Sequence, residues 1–126
     1  QLMAAGSEEH GLHKGLGLLD GSVVRLRPSG NDYRVPNMGW CDVKAVKKGI
    51  LFPSVGEAGA FYFAHSYHFE SDHQEYTAAT IEYSGRDITV AVEHENLCGV
   101  QFHPEKSQDI GLDLIESFFR NTEDAL

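Results

Sequence analysis

A chain of 126 residues fits one compact domain, and at this size folding buries roughly two-thirds of the unfolded surface, enough for a real core. The formal net charge is −9, from 19 acidic against 10 basic residues that are scattered except around Lys44, Lys47 and Lys48. A phosphate backbone would be repelled overall, so nucleic acid is excluded as an expected partner. Two cysteines, Cys41 and Cys98, are too few for a disulfide scaffold; no segment approaches the ~20 apolar residues of a membrane span, and no basic-then-apolar leader opens the sequence. These features predict a soluble, cytoplasmic, single-domain protein.

The first residue is Gln1, and QLMAAG reads as helix interior without an N-cap, as if the sequence opened part-way through an element. Residues 1 to 9 are rich in helix formers, and Gly11, Gly15 and Gly17 then turn the pattern into a loop. GSVVRLRP (21–28) alternates Val24 and Leu26 with Arg25 and Arg27, the period of a half-buried strand, closed by Pro28, Ser29, Gly30 and Asn31. YRVPNMGWCDVK (33–44) carries a proline and a glycine around Met38 and Trp40, which predicts a structured loop. Lys44, Lys47 and Lys48 read as a solvated loop face.

AFYFAHSYHFE (60–70) has no charge before Glu70 and is predicted as a central strand covered on both faces, with Phe61, Tyr62 and Phe63 as core. YTAATIEYS (76–84) and DITVAVEHE (87–95) flank Ser84-Gly85-Arg86 as a hairpin, and LCGVQFH (97–103) follows a tight turn at Glu95 and Asn96. Three strands with such short links imply an antiparallel run. A last element is a helix with Ser107 as cap, Asp109 in its first turn, and Ile110, Leu114, Ile115 and Phe118 at helical spacing on the face that packs on the sheet. The sum is α/β: a mixed sheet with an antiparallel run and a C-terminal covering helix.

The candidate chemistry lies in GVQFHPEKS (99–107). Pro104 fixes a turn that lets Glu105 accept a hydrogen bond from one nitrogen of His103, leaving the other free to act as a base. A His-x-Glu spacing alone is weak evidence. Neither cysteine supplies an evident nucleophile: Cys98 faces away from His103 on the strand and lies five residues, roughly 16 Å, from it. Cys41 lacks the closely flanking glycines of a nucleophile elbow. A metal site among His65, His68, His73, His94 and His103 has no closely paired ligand motif beyond HSYH, and no metal or cofactor is expected.

VPNMGW (35–40), FYFAHSY (61–67) and GVQFHPEKS (99–107), in this order and spacing, resemble class I glutamine amidotransferases, and within them the glutaminase subunits of imidazole glycerol phosphate synthase and their relatives in surface-polysaccharide biosynthesis. The resemblance runs from Gln1 to about Arg120. It implies a flavodoxin-like domain, of which this would be the C-terminal part, and a Cys-His-Glu triad in which His103 and Glu105 match the histidine and glutamate. It further implies that His65, Ser66 and Tyr67 line the bound glutamine, that Gln1 matches the final glutamine of a GxCxGMQ-type nucleophile-elbow turn and contacts the same substrate, and that the triad cysteine belongs four residues before Gln1. Trp40, Tyr62 and Lys106 match positions facing a (β/α)8-barrel synthase partner, where ammonia is handed over. Asn37 and Cys41 stand where such proteins often have histidine and asparagine, in a stretch read as a partner-facing loop. The expected function is that of a glutaminase fragment, inactive alone. The alternative is a binding module that docks on a synthase or self-associates as a homo-oligomer through an exposed sheet edge. Gln1 itself, at a terminus, is expected to be disordered.

Overall fold

Period-2 alternation builds most of this molecule, because a strand with one apolar side must lay that side on a common core. The structure is a computed structural model describing residues 1–9, 11–29 and 33–123, the side chains of Thr122 and Glu123 excepted. Gly30 and Asn31 of the turn expected after residue 28 lie outside the described residues. Strands β1 (Ala4–Ser7), β2 (His13–Lys14), β3 (Leu19–Arg25), β4 (Asn37–Ala45), β5 (Gly56–His65), β6 (Tyr67–Glu70), β7 (Thr77–Tyr83), β8 (Arg86–His94) and β9 (Leu97–Val100) are followed by helix α1 (Gln108–Glu123). The strands join in one mixed sheet in the order β2-β1-β3-β6-β8-β7-β4-β5, with β9 added alongside β8. β1 and β3 are parallel and the other pairings antiparallel. The α/β reading therefore holds, with the antiparallel run β7-β8-β9 as expected. No helix among the described residues is long and apolar enough to cross a membrane.

The hairpins follow their turns. Tyr83 pairs with Arg86 across Ser84 and Gly85, both at positive φ (53° and 76°), the two-residue connection whose twist matches that of its strands. Glu95, φ 56°, begins the equally tight link that pairs His94 with Leu97. The core lies under β4, β5, β7 and β8: Val43, Phe61, Phe63, Ile81, Val90 and Phe102 are buried in one cluster with Leu114 of α1. Ile110 of that helix packs so closely over Gly59 that a Cβ there would sit 2.1 Å from Ile110 Cδ1. Hence β5 needs a glycine at this point, which also has φ +114°.

Several expectations are corrected. Residues 1–9 do not form a helix: Ala4–Ser7 is a strand on β3. Nine residues are too few for a self-sustaining helix, Gly6 weakens it further, and the open edge of β3 offers backbone partners instead. In β3 it is Val23 and Leu19 that are fully buried, as is Leu26 just after the strand, whereas Val24 is only partly so. The stretch 33–44 is not a loop but runs into the nine-residue β4; Pro36 lies just outside it, and Gly39 is carried at φ +119° because pairing with β5 along the whole strand outweighs its local preference. Residues 60–70 divide at Ser66 into β5, last in the sheet order with an exposed outer face, and β6, paired with β3 and β8. Lys47 does not simply face solvent; its ammonium donates to the Glu75 and Glu93 carbonyls. Ser107 precedes α1, but its hydroxyl is engaged elsewhere, as described next.

Candidate active site

His103 stands where the strand 97–100 has ended and a single 3-10 turn, Pro104–Lys106, begins. Two hydrogen bonds bind this segment to the free edge of β5, and a third closes it on itself. The His103 N–H donates to the Tyr62 carbonyl (3.0 Å), the Tyr62 N–H donates to the Ser107 hydroxyl (3.0 Å), and that hydroxyl donates to the His103 carbonyl (2.7 Å). The hydroxyl of Ser107, 1% exposed, is thus a clamp of the His103 corner, while its carbonyl accepts the Gly111 N–H (3.4 Å) at the start of α1. Within the corner, Nδ1 of His103 lies 2.8 Å from Oε1 of Glu105. The carboxylate accepts, so Nδ1 carries a proton, and in the neutral ring Nε2 is the nitrogen that can take one. Glu105 is held below the ordinary carboxylate range by its own backbone N–H and then by the imidazole.

Beside this pair sits an aromatic cluster. The Tyr62 ring is 6.5 Å from the His103 ring and 5.9 Å, edge to face, from the Trp40 indole, and the Lys106 ammonium is 5.9 Å above it. Trp40 and Tyr62 are opposite each other in the β4–β5 register, as are Met38 and Ala64. Together they make the outer face of this hairpin, on which Trp40 and Met38 are 51% and 64% exposed.

The remaining candidates meet in a second place. An open cleft of about 460 Å³ is lined by Gln1, Met38, His65, Ser66, Tyr67 and Gln101, with Glu9, Pro36 and Ala64. Gln1, expected to be disordered, is held: its side-chain amide donates to the Tyr67 carbonyl (3.1 Å) and to Gln101 Oε1 (2.9 Å). His65 is 6% exposed and donates from Nδ1 to the same carbonyl (2.8 Å), while Asn37 lies 3.1 Å from its Nε2. Burial above all keeps this imidazole's pKa low. His103 and Glu105 do not line the cleft; from Tyr62, beside them, to His65 is three strand residues, about 10 Å.

Both thiols are turned away from His103. Cys41 shares the inner side of β4 with Asn37, whose amide is 3.7–3.8 Å from Sγ, and Cys98 packs against the core as strand alternation predicts. Burial pushes both thiols up, Cys98 to about 11. Asn37 and Cys41 are strand residues, so the partner-facing-loop reading of them is corrected. Among the described residues no group of three or more His, Cys, Asp or Glu is placed to hold a metal ion. The sequence reading missed Gln101 and Asn37: the first shares the strand side of His103 and was legible by alternation, the second required knowing that residue 37 lies opposite 65.

Known proteins place this geometry. The chain is 46% identical over 118 residues to the imidazole glycerol phosphate synthase subunit HisH 2 of Vibrio vulnificus, covering 94% of this chain and 54% of that protein. It is 38% identical over 125 residues to the HisH 2 subunit of Nitrobacter winogradskyi (95% and 58%), and 39% identical over 118 residues to the HisH subunit of Azospirillum brasilense (94% and 61%). It thus spans a little over half the length of these curated relatives. The family model described as glutamine amidotransferase class-I matches residues 21–122, which take in the His103–Glu105 pair, the aromatic cluster and all of the cleft but Gln1 and Glu9. The chain belongs to the class-I glutamine amidotransferase family.

Proposed function

We propose that this chain supplies the base half of a thiol-dependent glutaminase. The observation that carries the reading is the 2.8 Å bond from His103 Nδ1 to Glu105, which orients a proton-accepting Nε2 on the aromatic side of β5. In the reaction, that nitrogen takes the proton of a cysteine, the thiolate attacks the side-chain amide carbon of glutamine, ammonia leaves with a proton returned by His103, and water hydrolyses the glutamyl thioester. Glu105 accepts from Nδ1 and stabilises the imidazolium formed on the way. Ser66 and Tyr67, with Gln1, hold the glutamine in the cleft that His65 also lines. Ammonia passes to a synthase subunit seated on Trp40, Tyr62 and Lys106; that the relatives are named as subunits of imidazole glycerol phosphate synthase supports a synthase partner.

The cysteine comes from outside these 126 residues, since Cys41 and Cys98 are held as protonated thiols away from His103. Ammonia release from glutamine by the purified 126 residues should therefore equal the buffer blank. Joined to the elbow-bearing segment of a relative, the chain should turn over, and His103→Ala in that longer protein should lower kcat by several orders of magnitude. Turnover by the 126 residues alone, or full activity of the His103→Ala protein, overturns the assignment. A second reading, a self-associating module, draws on the face of exposed Met38 and Trp40 and half-buried Tyr62. Sedimentation decides it: a monomer at high concentration removes that reading.

A further inference from the structure

The side-chain amide of residue 37 and the imidazole of residue 65 meet because the two residues are directly opposite in the β4–β5 register, with both side chains on the inner side. His65 is almost wholly buried, and each ring nitrogen has one neighbour within hydrogen-bond distance. The Tyr67 carbonyl, 2.8 Å from Nδ1, can only accept, so Nδ1 carries a proton. A neutral ring then leaves Nε2 as an acceptor, and its neighbour at 3.1 Å has to donate, which the Asn37 NH2 does. Each contact thus requires the other. The same Tyr67 carbonyl takes a second donor, the Gln1 amide, and the Ser66 carbonyl accepts from the Leu26 N–H (2.9 Å), so the bend between β5 and β6 is held from three sides.

We propose that His65 is a positioning residue: a neutral imidazole locked in its Nδ1–H tautomer by Asn37, which bridges β4 to the Ser66–Tyr67 bend and sets where that bend stands in the cleft. This deepens the glutaminase reading and rests on it for the cleft's purpose. Burial keeps the ring uncharged, against the opposing effect of the Tyr67 bond, with nearby His68 adding to the loss of charge. Asn37 suits the role because an amide presents a donor that no pH change removes. An aspartate there would present only acceptors, and His65 would have to protonate on both nitrogens or turn away from Tyr67.

Nitrogen-15 spectra of the 126-residue chain test this. The wild-type His65 ring should show a single Nδ1–H tautomer near neutral pH. Asn37→Asp should abolish that signature, leaving either a doubly protonated ring or a ring detached from the Tyr67 carbonyl, and Asn37→Ala should move the Ser66 and Tyr67 backbone amides and the Gln1 side-chain amide. A wild-type ring in the Nε2–H form, a mixture of tautomers, or unmoved 66–67 signals in folded Asn37 variants overturns the proposal. If the variants do not fold, the wild-type tautomer alone decides. Titration with free glutamine separates the two readings: absence of any shift at Ser66 and Tyr67 removes the cleft's assigned substrate, whereas a wrong tautomer removes the bridge whatever glutamine does.

Discussion

His103, Glu105 and Cys98 show how much one side chain's chemistry depends on a few neighbouring atoms. The carboxylate of Glu105 sits two residues from His103, so a single turn brings Oε1 onto Nδ1, and the buried Ser107 and the Tyr62 backbone hold the corner in which the pair forms. Cys98 is the opposite case, since its state comes from the sheet around it. Burial first, then the charge of Glu93, pushes its thiol to about 11, with Lys47 opposing. A thiol that high holds roughly two orders of magnitude less thiolate at neutral pH than a free cysteine near pKa ~8.5. Alkylation by iodoacetamide, followed by mass spectrometry, should accordingly be slower at Cys98 in the folded chain by about that factor, and should reach the free-thiol rate in denaturant. Equal rates in the two states would show that the thiol is not shielded.

Among the elements, the connection from β6 into β7 is pinned by one histidine. His73 Nε2 is 3.0 Å from Asp20 at the start of β3, and Nδ1 is 3.1 Å from Glu75 in the 3-10 turn Gln74–Tyr76. Both partners are carboxylates, so both nitrogens must donate and the clasp is complete only as an imidazolium. Asp20 first and Glu75 second raise the His73 pKa. The other groups near it are the Tyr76 ring at 5.1 Å and, beyond that ring, His94. A raised folded value means that the stabilisation is whole below the unfolded value of about 6.5 and is lost as pH rises through the folded one. Thermal midpoints followed from about pH 5 to 8 should fall on the alkaline side in the wild type, and His73→Ala should remove that part of the slope. A wild-type profile identical to the variant's would show that the clasp contributes nothing to the folded state.

For the molecule as a whole, β5 decides which side is core and which is the outer face. Its inward residues Phe61 and Phe63 pack against Phe102 with ring centroids 4.3 and 5.6 Å away, while Tyr62 looks out beside Trp40. Phe63→Ala should lower the unfolding free energy by about 3–5 kcal/mol. Trp40→Ala, on the exposed side, should stay within about 0.5 kcal/mol. Urea melts of the two variants check this, and a large loss from Trp40→Ala would mean that the outer face belongs to the core.

The parts of this protein that were legible in its residues are those decided within a few positions. The Ser84-Gly85 and Glu95-Asn96 turns, the alternation that turns Cys98 away from His103, the helical stripe of Ile110 and Leu114, and the His103–Glu105 spacing all depend on local geometry, and each stands as read. What misled were stretches whose local preference lost to a distant partner. QLMAAG favours a helix but lies as a strand on β3, and VPNMGW looks like a loop until β5 pairs with it. Two things were beyond local reading: the gathering of Gln1, His65, Tyr67 and Gln101 around one cleft, and the facing of Asn37 and His65 from positions 28 residues apart. A sequence by itself determines which residues can hold a proton, turn a chain or bury a side; only strand register, set by pairing across the whole sheet, decides which of them meet.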